Sequence, residues 1–170
     1  MFNDRYGLTQ AVLEGRKTMT RRIVKHPEEV EVNGHKYLQT EKLRYKVGEV
    51  VAVAQAYKDI MPELDFIWKG TAAWSNKMFV QASEMYYHIR ITNARVERLQ
   101  DISDEDCLRE GIFWDYDDYP HMATKVYKYN ENEEYIHPKA AFAALIDKVS
   151  GKGTWQSNPW VFVYEFELIK

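Results

Sequence analysis

The sequence predicts a mixed α+β domain built on a curved or barrel-like sheet. Three observations carry that expectation. Helical and strand periodicities are interspersed without the strand–helix–strand rhythm of a parallel sheet. Aromatic residues make up 14% of the 170 positions, which suggests a β-rich core or else a surface that stacks flat ligands. The first and last elements both carry apolar faces, so the two ends belong to one core. At this length a single domain, 1–170, is expected. A hydrophobic share of 45% against 29% charged excludes a disordered chain, a collagen-like repeat and a pure coiled coil.

The elements follow in order. A helix is expected over residues 5–14, capped by Asp4, with Leu8, Val12 and Leu13 near one face and Gly15 at the C-terminal glycine position. Residues 26–46 read as polar and irregular, with Pro27, Asn33 and Gly34 as turn signals. A strand begins near Val47, opened by Gly48 and Glu49 and continued by Val50, Val51 and Val53. Residues 58–83 contain Pro62 and Gly70 and read as a loop, with Trp68 and Trp74 exposed. Over 84–99, Tyr87, Ile89 and Ile91 alternate with His88 and Arg90, and a break is expected at Thr92–Asn93. Ser103, three residues before Asp106, starts a short helix that ends at Gly111. Residues 113–137 show no sustained period. Pro138 then opens the clearest helix, with Ala141, Phe142, Leu145, Ile146 and Val149 on one side, closed by Gly151 and Gly153. The last strand covers Trp160 to Leu168.

Charge and composition limit the function classes. Lys plus Arg number 23 and Asp plus Glu 26, so a globally basic nucleic-acid coat is excluded while a local basic patch is not. One cysteine, Cys107, rules out an internal disulfide framework and a multi-Cys zinc site. The five histidines form no H-E-x-x-H or related pair, so no metal is expected, and no phosphate loop, nucleophile elbow or dinucleotide fingerprint signals an organic cofactor. The first ten residues lack a signal-peptide pattern and no run reaches the roughly 18 apolar residues of a membrane span, so a soluble, cytoplasmic protein is expected.

Four features carry candidate chemistry. Arg16, Lys17, Arg21, Arg22 and Lys25 form a basic turn interleaved with Thr18 and Thr20, suited to phosphate, or else simply solvated. Lys17 and Thr20 are three residues apart, and a desolvated lysine can activate a hydroxyl. Glu110 stands at a helix C-terminus, the unfavourable end for an acid, which points to ion pairing or function, or else it is an ordinary exposed acid. Trp155, Asn158 and Trp160 sit in a loop where rings can stack on a base and amides can read its edge, or where the rings plug the core.

Together these segments resemble the ASCH domain family of the PUA-like superfamily, as its longer bacterial and phage members. The resemblance rests on AVLEGRKTMTRR (11–22), YKVGEVVAVAQAY (45–57), ITNARVERLQDISDEDCLREGI (91–112) and GKGTWQSNPWVFVYEFEL (151–168), above all on the G-x-K-x-x-T-x-R form starting at Gly15. Stretches of about 26–44, 58–86 and 113–137 fall outside it as insertions. It implies a small β-barrel with flanking short helices, and a cleft for RNA or a modified nucleoside lined by Arg16, Arg21, Arg22, Trp155, Asn158 and Trp160. Some compact members are amidohydrolases that deacetylate N4-acetylcytidine, and the matching positions here are Lys17, Thr20 and Glu110. Where longer members carry an aromatic and an Arg-Glu pair, this chain reads Ala52-Val53-Ala54-Gln55. Three roles follow as expectations: an RNA- or nucleotide-binding module, an amidohydrolase, or an adaptor that binds a protein through the acidic, Tyr-rich segment 113–135.

Overall fold

A computed structural model describes residues 2–116 and 124–169. Its centre is a four-stranded antiparallel sheet in the order β1-β8-β5-β4, formed by Met19–Ile23, Trp160–Ile169, His88–Arg98 and Val50–Ala52. The sheet curls into a half-barrel, so the expected α+β class with a barrel-like sheet holds at that level. A register shift between Ile91 and Asn93 marks a β-bulge, which bends and twists a strand. It falls at the expected Thr92–Asn93 break.

Alternation along β8 divides the core. Val161 and Val163 point to one side with Met19, Leu99, Ile102, Cys107 and the apolar stripe of α6 (Pro138–Ser150). Phe162, Tyr164 and Phe166 point to the other, with Val12, Val24, Val53, Ile89 and Ile91. Helix α6 matches its expected extent, with Pro138 in its first turn. The short helix α5 is Asp104–Arg109, and Ser103 Oγ accepts from the Asp106 backbone N–H at 3.1 Å.

Several expectations need correction. The N-terminal helix is broken in two. Asn3, not Asp4, caps a 3-10 turn at Asp4–Tyr6, Gly7 takes a left-handed conformation, and α1 covers only Leu8–Leu13. Asp4 instead accepts from Thr9 and from Lys77 Nζ at 2.7 Å. The basic turn is a strand over half its length, because β1 pairs along β8 from Met19↔Glu165 to Ile23↔Val161. Tertiary pairing wins there over a composition that reads as solvated. The irregular 26–46 stretch holds a hairpin, β2 (Glu28–Val32) with β3 (His35–Gln39). Asn33 and Gly34 turn it with φ of 53° and 77°, as a two-residue hairpin turn needs. The 58–83 loop contains three four-residue helices: α2 (Tyr57–Ile60), α3 (Asp65–Trp68) and α4 (Ala72–Ser75). Trp68 and Trp74 are half-buried there, and Trp68 stacks on Tyr57 with ring centroids 4.3 Å apart. In the third insertion β6 (Phe113–Tyr116) pairs with β7 (Lys125–Lys128), and residues 117–123 between them lie outside the described residues. The remaining short helix, α7, is Thr154–Ser157.

Candidate functional site

The basic segment leaves α1 through Gly15, whose φ of 74° fits the left-handed end of a helix. The chain then turns inward. Lys17 is 3% exposed, the Arg21 residue 6% and Glu110 4%, so three charged residues are buried together. Lys17 Nζ donates to Glu110 Oε2 at 2.5 Å and to the Glu110 carbonyl at 2.7 Å. Arg21 Nη1 donates to Glu110 Oε1 at 3.0 Å. Glu110 thus holds one cation on each carboxylate oxygen. Its place at the α5 C-terminus is explained by this pairing, and the unfavourable helix-end field is outweighed by two close cations.

The network continues outward. Arg21 Nη2 meets Glu97 Oε1 at 2.6 Å and Asp106 Oδ2 at 3.0 Å. Arg95 bonds Glu97, Asp106 and Glu165, and Arg109 meets Glu165 at 2.8 Å. Lys17, Arg21, Arg95 and Arg109 balance Glu110, Glu97, Asp106 and Glu165, so the cluster is neutral in formal charge. Burial pushes the Lys17 ammonium below lysine's ordinary value, and Glu110 pulls it part of the way back. Burial also opposes the charge on Arg21, but Glu110 and Glu97 outweigh it and the guanidinium's value rises.

A cavity of about 470 Å³ opens beside this cluster. Lys17, Thr20, Arg21, Arg22 and Glu110 form its polar side. Phe142, Leu145, Ile146 and Val149 of α6, with Phe2 and Leu8, form its apolar side. The volume is that of a small-molecule site, and an apolar wall facing a few convergent polar groups is the usual composition of one. Three segments meet here: the α1–β1 connection with β1, the end of α5, and α6. Lys17 lies in the connection and Thr20 in β1.

The other expected site residues lie apart from this cavity. Arg16 pairs with Glu14 at 2.5 Å on the surface, with its guanidinium 5.7 Å from the Phe113 ring centroid. Trp155 packs edge-on against Phe142, centroids 6.2 Å apart, and its carbonyl accepts from Gln100. Asn158 Oδ1 accepts from the Gln100 backbone N–H at 2.8 Å. Trp160 lies under the Arg98 guanidinium at 4.2 Å and donates to Glu29. These side chains fasten the α7–β8 corner. Ala54 borders a narrow space inside the half-barrel together with Thr20 and Arg22, and Gln55 is buried elsewhere with Oε1 lacking a partner among the described residues.

Sequence reasoning missed the α6 wall, Phe2, and the carboxylates Glu97, Asp106 and Glu165. A signal existed for the last group. Arg95 and Glu97 share a face of β5, while the α5 helix start and the acidic end of β8 supply Asp106 and Glu165. Among the described residues no group of three or more His, Cys, Asp or Glu side chains is placed to hold a metal ion. Among the same residues no helix is long and apolar enough to cross a membrane. Comparison of the chain with protein-family models, with curated proteins and with solved structures finds no match in any of the three.

Proposed function

We propose that the protein is an amidohydrolase acting on an acylated pyrimidine nucleoside of the N4-acetylcytidine type, in a PUA-like fold of the ASCH kind. One observation carries this reading: Lys17, Thr20 and Glu110, the three positions that the resemblance matches to a catalytic set, border one cavity although Glu110 stands 93 residues from Lys17 in the chain. Energetics support it. Each buried ion costs several kcal/mol of desolvation, and well-packed apolar groups in its place are often as stable or more so. A buried Lys–Glu–Arg cluster facing a cavity is therefore a functional-site candidate on physical grounds. In this reading Lys17 serves as base, Thr20 as nucleophile or positioning hydroxyl, and Glu110 as the group that orients Lys17 and returns the proton. Arg21 fixes the Glu110 carboxylate from its other oxygen, and Arg22 borders the same cavity as a cation for developing negative charge.

A second reading, recognition of RNA or a modified nucleotide without turnover, is favoured by one feature. The Lys17 amine already donates to a carboxylate and a carbonyl, a pairing that suits a fixed cation. The test is release of cytidine from N4-acetylcytidine by the full chain, with Lys17→Ala as control. Release by the parent alone is the expected result. No release by either, with salt-dependent binding of RNA retained, moves the function to recognition. Equal release by both removes Lys17 from the chemistry.

A further inference from the structure

We infer that the open edge of β1 reads the ligand. The outward N–H and C=O of Arg21 form a donor–acceptor pair for the amide-like edge of a planar base. This rests on the nucleoside reading above and extends it from side chains to backbone.

Strand β1 is terminal in the sheet, and among the described residues no strand pairs with its outer edge. The phase of the ladder is fixed at both ends. Phe166 N–H donates to the Thr18 carbonyl at 2.9 Å, and Val24 N–H donates to the Trp160 carbonyl at 2.9 Å. In an antiparallel pair the residues that exchange backbone bonds alternate with those that do not. With Thr20 opposite Tyr164 and Arg22 opposite Phe162, the backbone groups of Thr18, Thr20, Arg22 and Val24 turn toward β8. Those of Met19, Arg21 and Ile23 turn away from the sheet.

The cavity is where they point. It is bordered by four consecutive strand residues, Thr20, Arg21, Arg22 and Ile23. Successive side chains leave a strand on opposite faces, so a single cavity that meets all four runs along the strand's edge. Its far wall is Phe142, Leu145, Ile146 and Val149, whose side chains offer no hydrogen bond. A backbone pair left unsatisfied against such a wall costs about 1–3 kcal/mol per group, which a ligand's polar edge would offset.

The occupant is small and planar. Only Arg21 and Ile23 present outward backbone to the cavity, one strand repeat of roughly 7 Å, whereas strand addition by a peptide needs several such residues. The N–H and C=O of one extended residue lie side by side. They match N3 as acceptor and the N4 hydrogen as donor on a cytosine ring. This places the base edge against β1 between the buried Lys17–Glu110 pair and the apolar face of α6.

The experiment is residue-resolved amide hydrogen exchange on the full chain, free and with saturating cytidine. In the free protein the Arg21 and Ile23 amides should exchange faster than their ladder-bonded neighbours Thr20 and Arg22. Cytidine should slow the Arg21 amide at least tenfold, and N4,N4-dimethylcytidine, which lacks the donor, should bind about tenfold more weakly. Turnover of N4-acetylcytidine with no effect of cytidine on the Arg21 amide overturns the inference and leaves the proposed function standing. Absence of both turnover and nucleoside binding overturns both. Protection of Arg21 that rises with protein concentration, without nucleoside, assigns the edge to a second copy of the chain and also overturns it.

Discussion

Glu110 and Lys17 form one ion pair but are not equal partners. Glu110 holds both Lys17 and Arg21, whereas among the described residues the Lys17 amine donates hydrogen bonds only to the Glu110 carboxylate and carbonyl. Removing Lys17 leaves the carboxylate paired with Arg21. Removing the carboxylate strands a buried ammonium. Breaking a buried pair costs about 3–5 kcal/mol when an uncompensated charge remains. Urea unfolding should therefore show Glu110→Met losing stability in that range, with Lys17→Met losing at least about 1 kcal/mol less. Equal losses would mean that Arg21 does not share the carboxylate. Cys107 offers a separate check on burial. Desolvation pushes its thiol up to about 12, so the reactive thiolate is scarce at neutral pH. A thiol reagent at about pH 8 should leave the folded protein unlabelled and label it fully in urea.

At the scale of elements, two glycines separate a site effect from a fold effect. Gly111 follows Glu110 with φ of 104°, and a Cβ there would lie 3.5–3.6 Å from Leu8, Ala11 and Lys17. The space is ordinary, so strain comes from the backbone angle. Gly111→Ala should cost about 1–2 kcal/mol and also reduce turnover, because the same peptide presents the carbonyl that Lys17 binds. Gly34 lies in the β2–β3 turn, a two-stranded sheet separate from the central one. Gly34→Ala should cost about 1 kcal/mol by thermal unfolding and leave kcat/KM unchanged. A loss of activity from the hairpin variant would tie that insertion to the site.

Across the whole molecule, the ion cluster joins β1, β5, α5 and β8. Its outer member, Glu165, contributes to the acid limb of stability. The Arg109 hydrogen bond holds its carboxyl below the ordinary 4.5. A carboxyl depressed on folding contributes stability that is complete above its unfolded value and is lost as the pH falls through the folded one. Unfolding free energy should therefore decline once the pH drops below about 4.5. Arg109→Gln should flatten that decline, measured as the urea midpoint between about pH 6 and about pH 3. An unchanged acid limb would place the titration on other carboxylates.

The same scale shows what the chain states locally. Periodicity and caps made α6, β5 with its interruption, β8 and the Ser103-capped α5 legible, because each is set by the spacing of its own apolar or capping residues. The G-x-K-x-x-T-x-R segment and Glu110 were legible as chemistry, though not as a cluster. The hairpin at 28–39 was hidden because its outward charges mask the alternation, and only Asn33-Gly34 betrayed the turn. Strand β1 was hidden for a related reason: Arg21 and Arg22 are charged, and their strand conformation comes from pairing with β8, 140 residues away at Arg22↔Phe162. The burial of Lys17 and Arg21, the apolar wall that α6 gives the cavity and the open edge of β1 all depend on such distant contacts. Local propensity therefore determined which segments are helix or strand where one face is apolar. Tertiary packing alone decided which charges leave water, since only a carboxylate brought from another part of the chain can compensate that desolvation.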